Sequence, residues 1–160
     1  MRLKALVDED FVNYRKPAMF LGTSMCNWKC CVEQGLPITV CQNSQLATSP
    51  MIDMPVDEIL HRYLNNPITE AIVIGGLEPF MQFNDVIELV AETRKHQCND
   101  DIVIYTGYYP DEISQEISVL RKYKNIVIKF GRYIPGHDKH YDEVLGVYLA
   151  SDNQFAERVK

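Results

Sequence analysis

Short runs of apolar residues along this chain alternate with segments that repeat apolar residues at helical spacing. Four runs without polar alternation predict buried strands, at residues 18–23, 71–74, 101–105 and 125–130. Three segments with apolar residues three and four positions apart predict amphipathic helices, at residues 56–65, 83–96 and 111–123. Residues 44–55 are polar and contain two prolines, so we predict a loop there. The last thirty residues are less periodic and predict only one short strand, around residues 144–149.

The order of these elements predicts an α/β fold. Strands without polar alternation, separated by helices of about three turns, are typical of a parallel sheet that is covered on both sides. We therefore expect an open α/β sheet or a partial TIM-type barrel of parallel strands with flanking helices. Because no repeat, low-complexity tract or flexible linker interrupts the sequence, we expect one domain over residues 1–160.

The composition and net charge of the chain argue against two classes of binding partner, namely nucleic acids and membranes. The 160 residues are 46% apolar and 24% charged, and 22 acidic against 16 basic residues give a formal net charge of -6. An acidic chain is not attracted to phosphate backbones, so nucleic acid is not an expected partner. Acidic residues at positions 8–10 interrupt the apolar core that a signal peptide needs, and no early apolar run could span a bilayer. We expect a cytoplasmic protein without a membrane partner.

The predicted strands share a feature at their carboxyl ends. The first strand runs into a cysteine-rich segment, and the others end at Gly75-Gly76, at Thr106-Gly107 and at Gly131. In parallel α/β folds these ends meet at one edge of the sheet, where ligands bind. Glycine allows the backbone to approach a ligand closely, although at any single strand it could simply form a turn. Their coincidence with the cysteines favours a shared pocket.

Four of the five cysteines lie close together in the sequence. Cys26, Cys30, Cys31 and Cys41 fall within sixteen residues, whereas Cys98 stands apart and has no predicted role. In a reducing compartment this clustering indicates metal binding first, redox chemistry second and a disulfide last. The gaps of three and ten residues differ from the usual zinc spacing, and three thiolates on an iron-sulfur cluster would leave one iron open. Buried or redox-active thiols are the alternative.

Several segments together resemble one family. Residues 26–30 (CNWKC) resemble the first half of the radical S-adenosylmethionine motif, in which three cysteines are spaced C-x3-C-x2-C after the first barrel strand. The chain is similar in particular to the activating enzymes of the anaerobic (class III) ribonucleotide reductase. Further similar segments extend over nearly the whole chain, at residues 11–13, 105–108, 111–113, 128–133 and 151–154.

The cysteine motif departs from the family pattern. Glu33 stands where the third cysteine is expected, and Cys41, followed by Gln-Asn, resembles that cysteine displaced by an insertion of about eight residues. The resemblance therefore implies that Cys26, Cys30 and Cys41 bind a [4Fe-4S] cluster. Cys31 could replace Cys30, lie beside the cluster or be simply buried, and Glu33 could be a hard oxygen ligand or a solvated acid.

The second strand end resembles a cosubstrate site. Residues 75–79 (GGLEP) resemble the Gly-Gly-Glu-Pro segment that receives the amino group of S-adenosylmethionine, so the resemblance implies a cofactor-binding role for Gly75, Gly76, Glu78 and Pro79. Leu77 is extra, or Gly76-Leu77 replaces the glycine pair. Strand-end carbonyls and a carboxylate can accept hydrogen bonds from an ammonium group. The resemblance also implies cofactor contacts at three further residues, Tyr105, Thr106 and Gly107.

A basic segment follows the fourth strand of this acidic chain. Residues 129–140 (KFGRYIPGHDKH) concentrate Lys, Arg and His, and could neutralise a ligand carboxylate or contact a partner protein. Lys129 stands where the similar activases usually have an acidic residue. His137 and His140 could equally be solvated loop residues.

The resemblance implies a radical enzyme. Its cofactors would be a [4Fe-4S] cluster and S-adenosylmethionine, its electron donor a flavodoxin or ferredoxin, and its substrate a glycine of the anaerobic ribonucleotide reductase large subunit. No residue is assigned as a catalytic acid or base. Two alternatives remain open, namely a radical enzyme that modifies another peptide or small molecule, and a non-catalytic zinc-binding module.

Overall fold

The computed structural model describes residues 1–160, which form nine strands, five α-helices and three 3₁₀ turns. The strands are β1 (Arg2–Asp10), β2 (Ala18–Thr23), β3 (Ile52–Asp53), β4 (Ala71–Gly76), β5 (Asp101–Tyr105), β6 (Ile126–Phe130), β7 (His140–Asp142), β8 (Val147–Leu149) and β9 (Phe155–Arg158). The α-helices are α1 (Lys29–Val32), α2 (Ser44–Thr48), α3 (Val56–Leu64), α4 (Phe83–Lys95) and α5 (Ser114–Leu120). The 3₁₀ turns are Ile38–Val40, Pro79–Gln82 and Pro110–Ile113.

A seven-stranded mixed sheet in the order β3-β1-β2-β4-β5-β6-β9 forms the centre of the protein. The four strands β2, β4, β5 and β6 are parallel, and one row of paired residues crosses them at Leu21, Ile74, Ile104 and Ile128. The outer strands β1, β3 and β9 are antiparallel to their neighbours, and β7 and β8 form a separate hairpin. The predicted α/β class and the parallel central strands are confirmed. β3 and β9 form the two edges of the sheet.

The three longer helices cover one face of the sheet. Alternate side chains of the parallel strands point to this face, where they are fully buried at Ile72, Ile74, Ile102, Ile104, Ile126 and Ile128. The apolar sides of the helices pack against them through Ile59 and Leu60 of α3, Leu89 and Val90 of α4, and Leu120 of α5. Burial of these side chains stabilises the fold by about 1.5–3 kcal/mol each. None of the helices is long and apolar enough to cross a membrane.

The opposite face of the sheet is covered by loop residues and a hairpin instead of the longer helices. Its side chains are smaller, and a second core cluster forms there around Ala71, Val73, Val103 and Val127. Tyr14 from the segment after β1 covers these residues, together with Leu145 and Leu149 of the β7–β8 hairpin. Each strand is apolar on both sides, so the sequence pattern indicated that both faces were buried but could not indicate what buries them.

Most predicted boundaries agree with the structure to within two residues. The exception among the helices is the segment 111–123, which begins as a 3₁₀ turn and continues as the shorter α5. The predicted loop 44–55 contains α2 and β3, and the predicted strand 144–149 is reduced to β8. Three strands, β1, β7 and β9, have no counterpart among the predicted elements. These antiparallel strands lie at or near sheet edges and are partly exposed, so they lack a continuous apolar run.

A buried carboxylate joins three distant segments at the amino end of β5. Asp101 accepts hydrogen bonds from the Tyr14 hydroxyl at 3.0 Å, from Lys16 Nζ at 3.0 Å and from Arg158 Nη1 at 2.7 Å. Burial by itself would raise the pKa of Asp101, but the bonds from Arg158, Lys16 and Tyr14 outweigh it and hold the pKa below its usual range. The charged carboxylate thus connects the segment after β1 and the last strand to the centre of the sheet.

We predict that Asp101→Asn lowers the free energy of unfolding at pH 7 by about 1–3 kcal/mol, because charge-assisted hydrogen bonds are lost. The folded-state pKa is depressed, so this stabilisation is present above about pH 4 and is lost as the pH falls through the folded-state value. Urea denaturation should therefore show a larger difference between wild type and variant at pH 7 than at pH 3. Asp138→Asn, at an exposed acid without a hydrogen-bond partner, is the matched control. An equal loss at both pH values would contradict the prediction.

Candidate functional site

A cavity of about 290 Å³ opens at the carboxyl ends of the four parallel strands. Its wall is formed by strand ends, by the cysteine-rich segment and by the β7–β8 hairpin. The predicted site residues that line it are Cys26, Cys30, Cys41, Gly75, Gly76, Glu78, Tyr105, Thr106 and Gly107. Pro79 is buried next to it and is the first residue of a 3₁₀ turn. The expected shared pocket is therefore present.

The segment after β2 folds back on itself and brings distant cysteines to the same cavity wall. Trp28 has φ +58°, in the left-handed region, and its N–H donates a 3.2 Å hydrogen bond to Cys26 Sγ. The chain then forms α1, and Leu36 N–H returns to the carbonyl of Cys31 at 3.0 Å. A 3₁₀ turn at Ile38–Val40 leads directly into Cys41. The ten residues between Cys30 and Cys41 thus form a loop, and the cysteines at both of its ends line the same cavity.

The thiols of this wall influence one another. Burial raises the pKa of Cys26 to about 11, and the Trp28 N–H opposes this shift. The interaction between the thiols of Cys30 and Cys41 lowers the pKa of Cys41 and raises that of Cys30. A metal would replace these protons, since thiolate rather than thiol is the ligand form.

The donor set at this wall fits an iron-sulfur cluster. Cys26, Cys30 and Cys41 supply three soft sulfur donors to one cavity, and each is partly accessible. No three Cys, His, Asp or Glu side chains converge closely enough to hold a single metal ion.

Two residues considered as alternative ligands do not line the cavity. Cys31 is buried, with its Sγ 4.0 Å from that of Cys30. Glu33 is directed to Arg132, whose Nη2 donates to Glu33 Oε1 at 3.1 Å. Glu33 is therefore neither a fully solvated acid nor a member of the thiol wall.

The end of β4 contacts the segment that contains Cys41. Asn43, two residues after Cys41, donates a 2.6 Å hydrogen bond from Nδ2 to the Gly76 carbonyl. Gly76 has φ +82°, and a Cβ there would lie 2.7 Å from the Gly22 Cα of β2. Only glycine is compatible with this backbone, so the Gly-Gly pair places the strand carbonyls beside the cysteine segment.

Glu78 is buried and connects three parts of the wall. Its Oε1 accepts hydrogen bonds from the Thr106 hydroxyl at 2.8 Å and from Phe80 N–H at 3.1 Å, and its Oε2 accepts one from Gly107 N–H at 2.9 Å. Its own N–H donates to the Met25 carbonyl at 2.7 Å. Burial raises the pKa of Glu78, while these donors favour the ionised form. Oε2 retains a lone pair for a further donor.

Lys129 is a charged residue on the otherwise apolar strand β6. It is only 7% exposed, lines the cavity, and donates a 3.0 Å hydrogen bond from Nζ to the Gly131 carbonyl. Burial lowers the pKa of Lys129 to about 8, and the nearby Glu78 carboxylate opposes this shift. Lys129 lies between Ile128 and Phe130, whose side chains point to the helix-covered face. Because successive strand residues point to opposite faces, the sequence could have indicated that Lys129 points to the other face.

Two other polar residues of the wall, Asn13 and Gln154, had no predicted role. Asn13 lines the cavity, and its carbonyl accepts a 2.5 Å hydrogen bond from Tyr105 Oη. Gln154 also lines it and donates from Nε2 to the Gly131 carbonyl at 3.2 Å. Both lie in segments that carried the family resemblance, which was the available signal.

Three residues without a definite predicted role, Cys98, His137 and His140, lie away from the cavity wall. The His137 ring pairs with Asp152 at 2.7 Å on the surface. His140 begins β7 and does not line the cavity. Cys98 Sγ donates to an Asp100 oxygen at 3.4 Å near the amino end of β5, so it has no contact with the other thiols.

A network of ion pairs holds the cysteine segment against the sheet. Buried Arg132, which follows β6, donates to both carboxylate oxygens of Glu112 at 2.6 and 2.8 Å and stacks on Tyr109, with Cζ 5.0 Å from the ring centroid. Arg132 also pairs with Glu33, and Lys29 pairs with Glu112. Arg132 and Lys29 hold the pKa of Glu112 down at about 2. The network thus attaches both ends of α1 to the turn after β5.

We predict that Arg132→Gln loosens the cysteine segment. In protein prepared without iron, Cys31 should react with a thiol reagent roughly tenfold faster than in wild type, because local opening becomes easier. Mass spectrometry of the Cys31 peptide measures the rate. Arg62→Gln, which breaks a surface pair with Asp8, is the matched control and should leave the rate unchanged. Equal labelling rates in all three proteins would show that the network does not hold the segment.

The chain is similar to one known family of iron-sulfur proteins. A family model described as a 4Fe-4S single cluster domain matches residues 18–154. That range includes the three cysteines of the cavity wall and the carboxyl ends of all four parallel strands. No curated protein and no solved structure matches the chain. Because the family model covers most of its length, the chain belongs to the family of 4Fe-4S single cluster domains.

Proposed function

We propose that this protein is a radical S-adenosylmethionine enzyme that activates a glycyl-radical protein of the anaerobic ribonucleotide reductase type. The observation that supports this most directly is the common cavity. Cysteine thiols, the Gly75-Gly76 strand end and the Glu78 carboxylate meet there at the carboxyl edge of a parallel sheet. We further propose that the open sheet is a partial TIM-type barrel, since all three longer helices lie on one face and the cavity lies on the other.

In this proposal Cys26, Cys30 and Cys41 hold the [4Fe-4S] cluster. With three protein ligands, one iron of the cluster would remain open to S-adenosylmethionine. When bound and reduced by a flavodoxin or ferredoxin, the cluster would supply the one electron needed to cleave S-adenosylmethionine to methionine and a 5′-deoxyadenosyl radical, which would take a hydrogen atom from glycine. Cys31 is excluded from this set in the proposal because it is buried behind the wall.

The strand ends bind and orient the cosubstrate in the proposal. The free lone pair of Glu78 Oε2 and the strand-end carbonyls are acceptors for an ammonium group. Thr106 and Gly107 hold the Glu78 carboxylate in position, so its orientation does not have to be established on binding. Tyr105 is fixed by its bond to the Asn13 carbonyl and forms part of the same wall.

Apolar residues line part of the cavity. Phe20, Val147 and Leu149 supply apolar parts of its wall. Exclusion of water and small reductants protects a reactive radical from side reactions. This function needs no acid or base catalyst, so none is assigned among the cavity residues.

Exposed apolar residues at the cavity mouth support a protein substrate. Val12 and Tyr148 line the cavity and are nonetheless 73% and 72% exposed, and neighbouring Phe11 is 63% exposed. A loop of a partner protein could cover these side chains while its glycine enters the cavity. Hydrophobic residues grouped around an opening are typical of such contact surfaces.

Single substitutions in anaerobically reconstituted protein should identify the three cluster ligands. Cys26→Ala, Cys30→Ala and Cys41→Ala should lose iron-sulfur absorption and lower 5′-deoxyadenosine formation at least about 100-fold, because each removes a ligand. Cys31→Ala should retain both, and Cys98→Ala is the matched control. The measurements are iron content, visible absorption and chromatography of the nucleoside after addition of S-adenosylmethionine and dithionite.

The same experiment distinguishes the alternatives. A colourless protein that binds zinc would indicate a non-catalytic zinc module. A protein with a cluster but without nucleoside formation would contradict the radical chemistry. Formation of 5′-deoxyadenosine without a glycyl radical on the reductase would favour a different peptide or a small molecule as substrate.

A second prediction concerns the partner surface. Phe11→Ala should lower the glycyl-radical yield, measured by electron paramagnetic resonance at limiting reductase, by roughly tenfold, because an exposed aromatic contact is lost. Formation of 5′-deoxyadenosine without reductase should be unchanged, since Phe11 does not line the cavity. Leu64→Ala, at an exposed apolar residue at the end of α3, is the matched control. Equal radical yields from Phe11→Ala and wild type would contradict this surface.

A further inference from the structure

We infer that Cys31 is a hydrogen-bond donor to the iron-bound sulfur of Cys30 and thereby raises the reduction potential of the cluster. The inference rests on the part of the proposed function that makes Cys30 a cluster ligand. It goes beyond that function because it gives a role to a thiol that binds no iron in the proposal. The two cysteines are adjacent in the chain, and their Sγ atoms are 4.0 Å apart, at hydrogen-bond distance for two sulfurs.

The helix α1 fixes the directions of both side chains. Cys31 N–H donates to the Trp28 carbonyl at 2.9 Å, and the Cys31 carbonyl accepts from Leu36 N–H at 3.0 Å, so its backbone is held on both sides. Successive residues of a helix differ in direction by about 100°. Cys30 therefore lines the cavity, while Cys31, which is only 3% exposed, is buried in the protein behind it.

The buried thiol of Cys31 has one hydrogen-bond partner in the structure. That partner is Cys30 Sγ, and at 3% exposure water cannot replace it. Either thiol could donate in protein without iron. A cysteine that binds iron is a thiolate and has lost its proton, so Cys30 can then only accept and Cys31 must donate.

The other two proposed ligands receive their donors from the backbone. Trp28 N–H donates to Cys26 Sγ at 3.2 Å. The interaction with Cys30 lowers the pKa of Cys41 most, and the Asn43 backbone N–H acts in the same direction. No backbone N–H donates to Cys30 Sγ, and the neighbouring thiol takes that place. This donor is the only one of the three that belongs to a side chain, so a substitution can remove it.

A donor of this kind favours the reduced form of the cluster. Reduction adds negative charge that is shared with the cysteine sulfurs, and a hydrogen bond to a sulfur stabilises that charge. Burial strengthens the effect, because the low local dielectric increases the electrostatic attraction. Loss of the Cys31 donor should therefore lower the reduction potential, so that a smaller fraction of the cluster is reduced at the same solution potential.

The test compares two substitutions that leave nearly the same space and differ by one hydroxyl group. Wild type, Cys31→Ala and Cys31→Ser are reconstituted anaerobically without S-adenosylmethionine and titrated with dithionite and redox mediators, and electron paramagnetic resonance measures the reduced cluster. Cys31→Ala should lower the ratio of reduced to oxidised cluster at a fixed potential roughly tenfold, which is about 59 mV for a one-electron couple. Cys31→Ser should recover most of this loss, because its hydroxyl can donate. Cys98→Ala, at a thiol bonded to Asp100 instead, is the matched control and should keep the wild-type potential.

A purely structural role of Cys31 predicts a different pattern. Both substitutions remove the same sulfur, so a side chain that only fills space should shift the two potentials together. Iron content, measured in the same samples, should equal that of wild type in both variants. The nucleoside assay contains dithionite in excess and is therefore insensitive to this shift.

The outcomes separate this inference from the proposed function. If Cys31→Ala has the wild-type potential, or if both variants are shifted equally, the donor role is wrong while the proposed function stands. If Cys31→Ala loses the cluster, Cys31 is itself a ligand, and both the donor role and the proposed ligand set are overturned. A lower potential in Cys31→Ala that Cys31→Ser restores supports the donor role. The titration contains no S-adenosylmethionine, so a failure of the radical chemistry does not affect it.

Discussion

The parallel alignment of β2, β4, β5 and β6 decides where each functional group of this protein lies. Because Leu21, Ile74, Ile104 and Ile128 are paired across the sheet, all four strands end at the same level. The segments directly after these strands form the cavity, namely the cysteine segment, a glycine pair, a Thr-Gly turn and Gly131. The large aliphatic side chains on the helix face hold this alignment, since a one-residue shift in register would move them out of the core. The positions of the functional groups at the carboxyl edge of the sheet thus depend on how the side chains of the helix-covered face pack.

The opposite face uses smaller side chains, and this difference creates space for a ligand. Alanine and valine lie at its base, and the next positions along the strands carry Gly75, Tyr105 and Lys129, which line the cavity. Burying Glu78 and Lys129 here costs stability, as the shifts of both pKa values toward the neutral forms indicate. Strongly shifted pKa values of buried groups are concentrated at functional sites, although structural networks also produce them. Three donors fix the Glu78 carboxylate, whereas Lys129 Nζ is bonded to the Gly131 carbonyl.

The cysteine segment brings its thiols to one cavity wall although the spacing of its cysteines is unusual. Its insertion folds back between Cys30 and Cys41, and Asn43 attaches the far end to the carbonyl of Gly76. Ion pairs of Lys29 and Glu33 with Glu112 and Arg132 fix the near end. Because these contacts come from three different strand ends, the segment is positioned by the sheet rather than by its own short helix. Membership in the 4Fe-4S single cluster domain family agrees with this arrangement of thiols.

The sequence by itself determined the four parallel strands, the α/β class and the strand ends that would share a pocket, because continuous apolar runs and their terminal glycines are local signals. It also indicated an iron-sulfur domain, through cysteine clustering and resemblance, and the family match confirms that class. The individual ligand and cosubstrate assignments stay predictions. Only the tertiary structure decided that the longer helices cover one face, that β1 and β9 flank the four parallel strands, and that Lys129 is buried in the cavity. These features arise from contacts between residues far apart in the chain. The local pattern of apolar and polar residues does not specify which distant residues make contact.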